Sequence, residues 1–110
     1  MKILIADDDF GIRGLVETML EALGYESQTI DDGDVLYDIL TSNHDFDLVL
    51  TDVMMPTKDG ISAVTESNTR TPVIFMSGVP REIPEKYEFL QKPFSIIRLS
   101  NILKKALQKS

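Results

Sequence analysis

The 110-residue sequence contains no cysteine and no tryptophan, and its apolar runs are no longer than four residues. Without cysteine the chain can form neither a disulfide framework nor a thiolate metal site. Runs of this length are far below the roughly 20 apolar residues that a membrane-spanning helix needs. The first run, residues 3–6, ends at three aspartates and is too short for a signal peptide. We therefore expect a cytoplasmic protein that does not bind a membrane.

Basic residues are also scarce, since 11 lysines and arginines stand against 18 aspartates and glutamates, giving a net charge of −7. A domain this acidic is poorly suited to the phosphate backbone of nucleic acids, so we expect no direct nucleic-acid binding. The length is typical of one domain with a single core. We therefore assign residues 1–110 to one domain.

Short apolar segments recur along the chain and predict the strands of a sheet. Continuous apolar runs that end at turn residues are typical of strands buried on both faces, and the clearest cover residues 3–6, 48–52 and 73–76. A weaker strand is expected over 25–30 and a short one over 89–91.

Apolar residues at helical spacing predict helices between these strands. The first covers residues 10–23, the second follows Asp34 as its N-cap, a less regular one covers 60–66, and the last follows Ser95 as its N-cap. Two prolines in 79–88 predict that the helix between the fourth and fifth strands is reduced. The alternation of strand and helix predicts an α/β protein, with a parallel sheet covered by helices on both faces.

Polar residues that can carry chemistry follow four of the predicted strands. Asp7 and Asp8 follow the first, Asp52 ends the third, and Ser77 and Lys92 follow the fourth and fifth. The carboxyl ends of parallel strands share one edge of the sheet, where ligands bind. Carboxylates on neighbouring strands lie ~5 Å apart and repel by roughly 3 kcal/mol at an effective dielectric constant of about 20. We therefore expect Lys92 and a hard divalent cation, Mg²⁺ above all, among these carboxylates.

Each of these residues has a simpler explanation when it is taken alone. Asp7 and Asp8 could cap the first helix, Ser77 could be a turn hydroxyl, and Lys92 could be a charge in solvent. The third carboxylate at the same sheet edge favours a metal site over these alternatives. The single histidine, His44, lies in a predicted polar loop and is expected to be inert.

The order and spacing of the strand-end motifs resemble those of a known family. The motifs are Asp7-Asp8 after the first strand, Asp52 followed by Met55-Pro56 and Asp59-Gly60, Ser77-Gly78 after the fourth strand, and Lys92-Pro93-Phe94 after the fifth. Together they look like the receiver domain of two-component response regulators, and the resemblance covers the whole chain. Residues 89–94 look most like receivers attached to hybrid histidine kinases. The resemblance implies a flavodoxin-like, doubly wound, five-stranded parallel sheet with strand order 2-1-3-4-5.

The roles of the family's acidic residues can be transferred to the matching positions. The resemblance implies that Asp52 accepts a phosphoryl group from a sensor histidine kinase or a histidine phosphotransfer protein, and that Lys92 pairs with Asp52. It also implies that Asp7, Asp8, Asp52 and the backbone carbonyl of Met54 hold Mg²⁺.

Two further residues match the switch positions of the family. The resemblance implies that Ser77 hydrogen-bonds the phosphoryl group, and that Phe89 turns inward when the Ser77 loop moves. Phe89 lacks the hydroxyl of the commoner tyrosine, so a hydrogen bond cannot lock its position.

The resemblance implies a signalling protein and not an enzyme, because such a domain catalyses only its own phosphorylation and dephosphorylation. Phosphorylation would change its binding to an unknown downstream protein. Two alternatives are open. A phosphoaspartate-forming phosphatase of small molecules needs a second aspartate two residues after the nucleophile, and Met54 occupies that position. A degenerate receiver that serves as a static binding module is disfavoured by the intact acidic pair, acceptor, serine and lysine.

Overall fold

The computed structural model describes residues 1–108, in which five strands and four helices follow one another. The strands are β1 (Lys2–Ala6), β2 (Glu26–Ile30), β3 (Leu48–Asp52), β4 (Val73–Ser77) and β5 (Glu88–Gln91), and the helices are α1 (Phe10–Ala22), α2 (Gly33–Thr41), α3 (Gly60–Ser67) and α4 (Ile96–Gln108). The strands form one parallel sheet with the order β2-β1-β3-β4-β5. The flavodoxin-like arrangement is therefore confirmed.

Alternate residues of each buried strand face opposite sides of the sheet and build two apolar clusters. In β1, Ile3 and Ile5 join the cluster with α1 and α4, whereas Leu4 and Ala6 join the cluster with α2 and α3. The sheet is thus covered on both faces, as the alternation of elements predicts. In residues 1–108 no helix combines the length and the apolar character that crossing a bilayer requires.

Aspartates cap the first three helices, and the structure differs from the sequence prediction at α2. The predicted N-cap Asp34 is wrong, because Asp32 accepts the backbone N–H of Val35 at 2.9 Å and the helix begins at Gly33. The helices α1 and α3 are capped in the same way, by Asp9 and Asp59. The predicted cap of α4 is confirmed, since Ser95 Oγ accepts the N–H of Arg98 at 3.1 Å.

The connection between β4 and β5 contains no helix in residues 78–87, where the sequence predicts a reduced one. Apolar side chains of this connection cover the sheet instead. Tyr87 packs edge-on against Phe75 with 5.4 Å between the ring centroids, and Ile83 packs on the same cluster. The carboxyl edge of the sheet is therefore bordered on this side by an irregular segment.

Candidate functional site

The carboxylates predicted to lie together do meet at the carboxyl edge of the sheet. β1 pairs with β3, so Asp7, directly after β1, lies beside Asp52 at the end of β3. Asp7, Asp8 and Asp52 each offer a carboxylate oxygen, and the three oxygens lie within 4.8 Å of one another. The structure therefore contains the crowded negative charge that the strand ends predict.

Lys92 inserts its ammonium group between two of these carboxylates. Its Nζ lies 2.7 Å from Asp7 Oδ2 and 3.4 Å from Asp52 Oδ2. The backbone N–H of Lys92 donates to the carbonyl of Ser77 at 2.8 Å, which holds the start of the side chain at the site. Lys92 therefore contacts its predicted partner Asp52, but its shorter contact is to Asp7.

Burial makes this charge balance costly. The side chain of Asp7 is fully buried, and those of Asp52 and Lys92 are 13% and 17% exposed. Burial, and then the negative charge of Asp7, raise the pKa of Asp52, and they outweigh the opposing effects of Lys92 and of the Met54 N–H. Burial also disfavours the charged form of Lys92, but Asp7 and then Asp52 outweigh it and raise the pKa of Lys92. A single lysine does not balance the buried carboxylates.

We expect Asp52→Asn to stabilise the metal-free protein at neutral pH by about 1 kcal/mol, because it removes a disfavoured buried charge. The pKa of Asp52 is higher in the folded state than its ordinary value of 3.8. At pH values between the ordinary pKa and the folded-state pKa, the folded state therefore binds more protons than the unfolded state. Wild-type stability therefore falls as the pH rises through this window. The advantage of Asp52→Asn is small below the window and complete above it.

Urea unfolding in EDTA at a series of acidic and neutral pH values measures this difference. Asp38→Asn is the control, since Asp38 is an exposed carboxylate on α2. If the stability difference between Asp52→Asn and the wild type became smaller toward neutral pH, burial and the charge of Asp7 could not be its cause.

The donor atoms at the site suit a hard cation. Asp7, Asp8 and Asp52 offer only oxygen, which is the donor set of Mg²⁺ and similar ions. The backbone of Met54 also borders the site, because its N–H faces the carboxylate of Asp52. The role of the Met54 carbonyl as a ligand stays a prediction.

The two predicted switch residues lie on neighbouring strands. Met76 pairs with Asp52 across β3 and β4, so Ser77 lies one residue further toward the site, and it is 5% exposed. Ser77 Oγ accepts the N–H of Val79 at 3.1 Å, which leaves its proton free to be donated. Phe89 is half-buried against the cluster of α2 and α3, and its role as a switch stays a prediction.

Residues 3–104 match the family model of the response regulator receiver domain. The chain belongs to the response regulator receiver family. The receiver is 34% identical to the regulatory protein AtoC of Escherichia coli (strain K12), over 97% of this chain and 25% of AtoC. The chain thus spans about a quarter of the length of that relative.

Two solved structures show the same fold. The receiver domain of the hybrid histidine kinase CckA has a TM-score of 0.81 and 30% identity, covering 98% of this chain and 100% of that one. The receiver domain of the sensor histidine kinase PA1611 from Pseudomonas aeruginosa PAO1 has a TM-score of 0.85 and 25% identity, covering 97% of both chains. The PA1611 structure has a magnesium ion coordinated in its active site cleft.

Two residues of the receiver that support Asp7 were missed by sequence reasoning. Arg13 Nη1 donates to the Asp7 carbonyl at 2.8 Å, and Asp7 Oδ1 accepts the N–H of Asp9 at 2.9 Å. Asp9 also caps α1, so neither Asp7 nor Asp8 is needed for that role. The sequence does contain a signal for Arg13. A basic side chain near a helix N-terminus interacts unfavourably with the helix dipole, which indicates that another contact compensates for it.

Proposed function

We propose that this receiver takes a phosphoryl group from a phosphohistidine onto Asp52, and that the modification switches its binding to a downstream protein. The donor would be a sensor histidine kinase or a histidine phosphotransfer protein. The observation that carries the proposal is the cluster of Asp7, Asp8 and Asp52 oxygens within 4.8 Å, with Lys92 as its one contacting cation among residues 1–108. Membership of the receiver family supports the same conclusion.

Asp52 would act as the nucleophile of this transfer. One of its carboxylate oxygens forms a bond to phosphorus while the P–N bond of the donor breaks, and the electron pair of that bond returns to the imidazole nitrogen. Phosphoryl transfer depends mainly on positioning and on neutralising the charge of the phosphoryl oxygens. The Lys92 ammonium, 3.4 Å from Asp52 Oδ2, is near enough to pair with one such oxygen, and the Ser77 hydroxyl can donate to another.

The proposal includes a Mg²⁺ ion held by Asp7, Asp8, Asp52 and the carbonyl of Met54. The ion would supply positive charge at the site and would orient the phosphoryl oxygens. Support comes from the all-oxygen donor set and from the magnesium ion in the cleft of PA1611.

The switch would act through the segment that follows Ser77. A phosphoryl group on Asp52 would attract the Ser77 hydroxyl and change the position of residues 78–87, with Phe89 moving inward. The modified surface would then bind its downstream partner. We propose that the receiver is not an enzyme toward other substrates and does not itself bind nucleic acid. Its cytoplasmic location stays a prediction from the sequence.

The first test is incubation with acetyl phosphate and Mg²⁺, followed by intact mass spectrometry. The wild type and the control variant Asp38→Asn are expected to gain the mass of one phosphoryl group, and EDTA should prevent this gain in both. Asp52→Asn should gain no mass with or without EDTA. A wild type that stays unmodified, or an Asp52→Asn variant that is modified equally, would contradict the proposal.

A further inference from the structure

The loop that follows Asp52 is closed by a hydrogen bond between its first residue and the start of α3. We call residues 53–59 the acceptor loop; it carries Met54 at its start. The N–H of Gly60 donates to the carbonyl of Val53 at 2.8 Å and closes the loop. A Cβ atom on Gly60 would lie 2.1 Å from the carbonyl oxygen of Asp52, so the chain returns very close to the phosphoryl acceptor.

The middle of the acceptor loop contacts the N-terminus of α2. Thr57 Oγ1 accepts the N–H of Asp34 at 3.1 Å and donates to Asp32 Oδ1, also at 3.1 Å. The N–H of Gly33 donates to the carbonyl of Pro56 at 3.1 Å. We call these three hydrogen bonds the clasp. A Cβ atom on Gly33 would lie 1.6 Å from the carbonyl oxygen of Lys58, so a glycine at this position is required for the contact.

Thr57 adopts an unfavourable backbone conformation in order to make these contacts. Its φ angle is 68°, in the left-handed region that glycine and asparagine adopt more readily than a β-branched residue. Neither glycine nor a purely apolar side chain could supply the hydroxyl that bridges Asp32 and Asp34. The backbone strain therefore accompanies a specific contact between two loops.

The clasp acts close to Met54. Only Met55 and Pro56 separate Thr57 from Met54, and the ring of Pro56 restricts its own φ angle. The N–H of Lys58 donates to the carbonyl of Pro56 at 2.8 Å, which makes the turn tight. The segment between Thr57 and Met54 is therefore short and stiff, so a displacement of Thr57 also displaces the Met54 backbone.

We propose that Thr57 is a positioning residue for the metal and phosphoryl site. The clasp holds the acceptor loop so that the backbone of Met54 stays against Asp52, and the N-terminus of α2 thereby sets the affinity of the site for Mg²⁺. The proposal rests on the proposed function and extends it to a residue that touches neither metal nor phosphate. Groups that orient metal ligands from outside the coordination sphere have a large influence on metal affinity.

Removing the hydroxyl tests the proposal. In Thr57→Ala, we expect the dissociation constant for Mg²⁺ to rise about tenfold, measured by competition with Mn²⁺ in electron paramagnetic resonance. Phosphorylation of Asp52 by acetyl phosphate at limiting Mg²⁺ should slow in parallel. Thr57→Ser keeps the hydroxyl and should bind Mg²⁺ as the wild type does. Thr41→Ala is the matched control, because Thr41 donates to the Tyr37 carbonyl at the opposite end of α2.

Thr57→Gly separates positioning from stability. Glycine relieves the left-handed strain but lacks the hydroxyl, so the variant should bind Mg²⁺ weakly even if it unfolds no more easily than the wild type. Mg²⁺ affinity that followed stability across the Ala, Ser and Gly variants would show a merely structural role and overturn the proposal. A wild type that neither binds Mg²⁺ nor accepts phosphate contradicts the proposed function itself. A competent wild type together with an unchanged Thr57→Ala overturns only the role of Thr57.

Discussion

Replacing Lys92 with methionine is expected to destabilise the metal-free receiver by about 3–5 kcal/mol, since the buried carboxylates would lose their contacting cation. The ammonium of Lys92 lies 2.7 Å from Asp7, whose side chain is fully buried, and 3.4 Å from Asp52. Methionine keeps a long apolar side chain, so the loss reports the charge more than the packing. The expected loss is a large part of the roughly 5–15 kcal/mol that stabilises a domain. Urea unfolding in EDTA measures it.

Three comparisons isolate the electrostatic origin of this effect. Lys58→Met removes an equally short ion pair, at 2.7 Å from an exposed Glu66, and should cost only about 0–1 kcal/mol. Adding Asp7→Asn to Lys92→Met should restore much of the lost stability. If the proposed magnesium site exists, Mg²⁺ should raise the melting temperature of Lys92→Met, because a ligand that binds only the folded state stabilises it. If Lys92→Met cost no more than Lys58→Met, the charge balance described for the site would be wrong.

Gly60→Ala is expected to destabilise the receiver by about 3 kcal/mol, because the added methyl group has no space. Its Cβ atom would lie 2.1 Å from the carbonyl oxygen of Asp52 and 3.2 Å from the carbonyl carbon. Both atoms belong to the backbone, so no side-chain rotation relieves the overlap, and either the end of β3 or the start of α3 must move. The displacement falls on Asp52, the proposed phosphoryl acceptor, so phosphorylation by acetyl phosphate should slow as well.

Gly14→Ala provides the opposite case within the same chain. Gly14 lies in α1, and a Cβ atom there would meet nothing within 4 Å. Alanine should therefore stabilise the protein by about 1 kcal/mol through its higher helix propensity, and phosphorylation should be unaffected. Thermal unfolding of the two variants side by side measures both effects. The same sign for both changes would contradict the contact assigned to Gly60.

The strand-end residues were predictable because the signals that place them are local. An apolar run marks a strand, and the polar residue that follows it marks the strand end, so Asp7, Asp52 and Lys92 could be assigned to one sheet edge without any coordinates. The helix starts were less predictable, as α2 shows. Asp31, Asp32 and Asp34 could each cap it, and the structure uses Asp32. This start agrees with the close contact between Gly33 and the Lys58 carbonyl, which cannot be predicted from the neighbouring residues.

The sequence alone determined the α/β alternation and the set of side chains at the carboxyl edge of the sheet, because the periods of strands and helices appear within a few neighbouring residues. Only the tertiary structure decided which of those side chains touch. Lys92 makes its shorter contact with Asp7, 85 residues away, and Thr57 bridges to Asp32, 25 residues away. Such contacts depend on how segments distant in sequence pack across the sheet. Hydrogen bonds and ion pairs of about 3 Å between these segments produce no periodic pattern in the sequence, so they cannot be predicted from it.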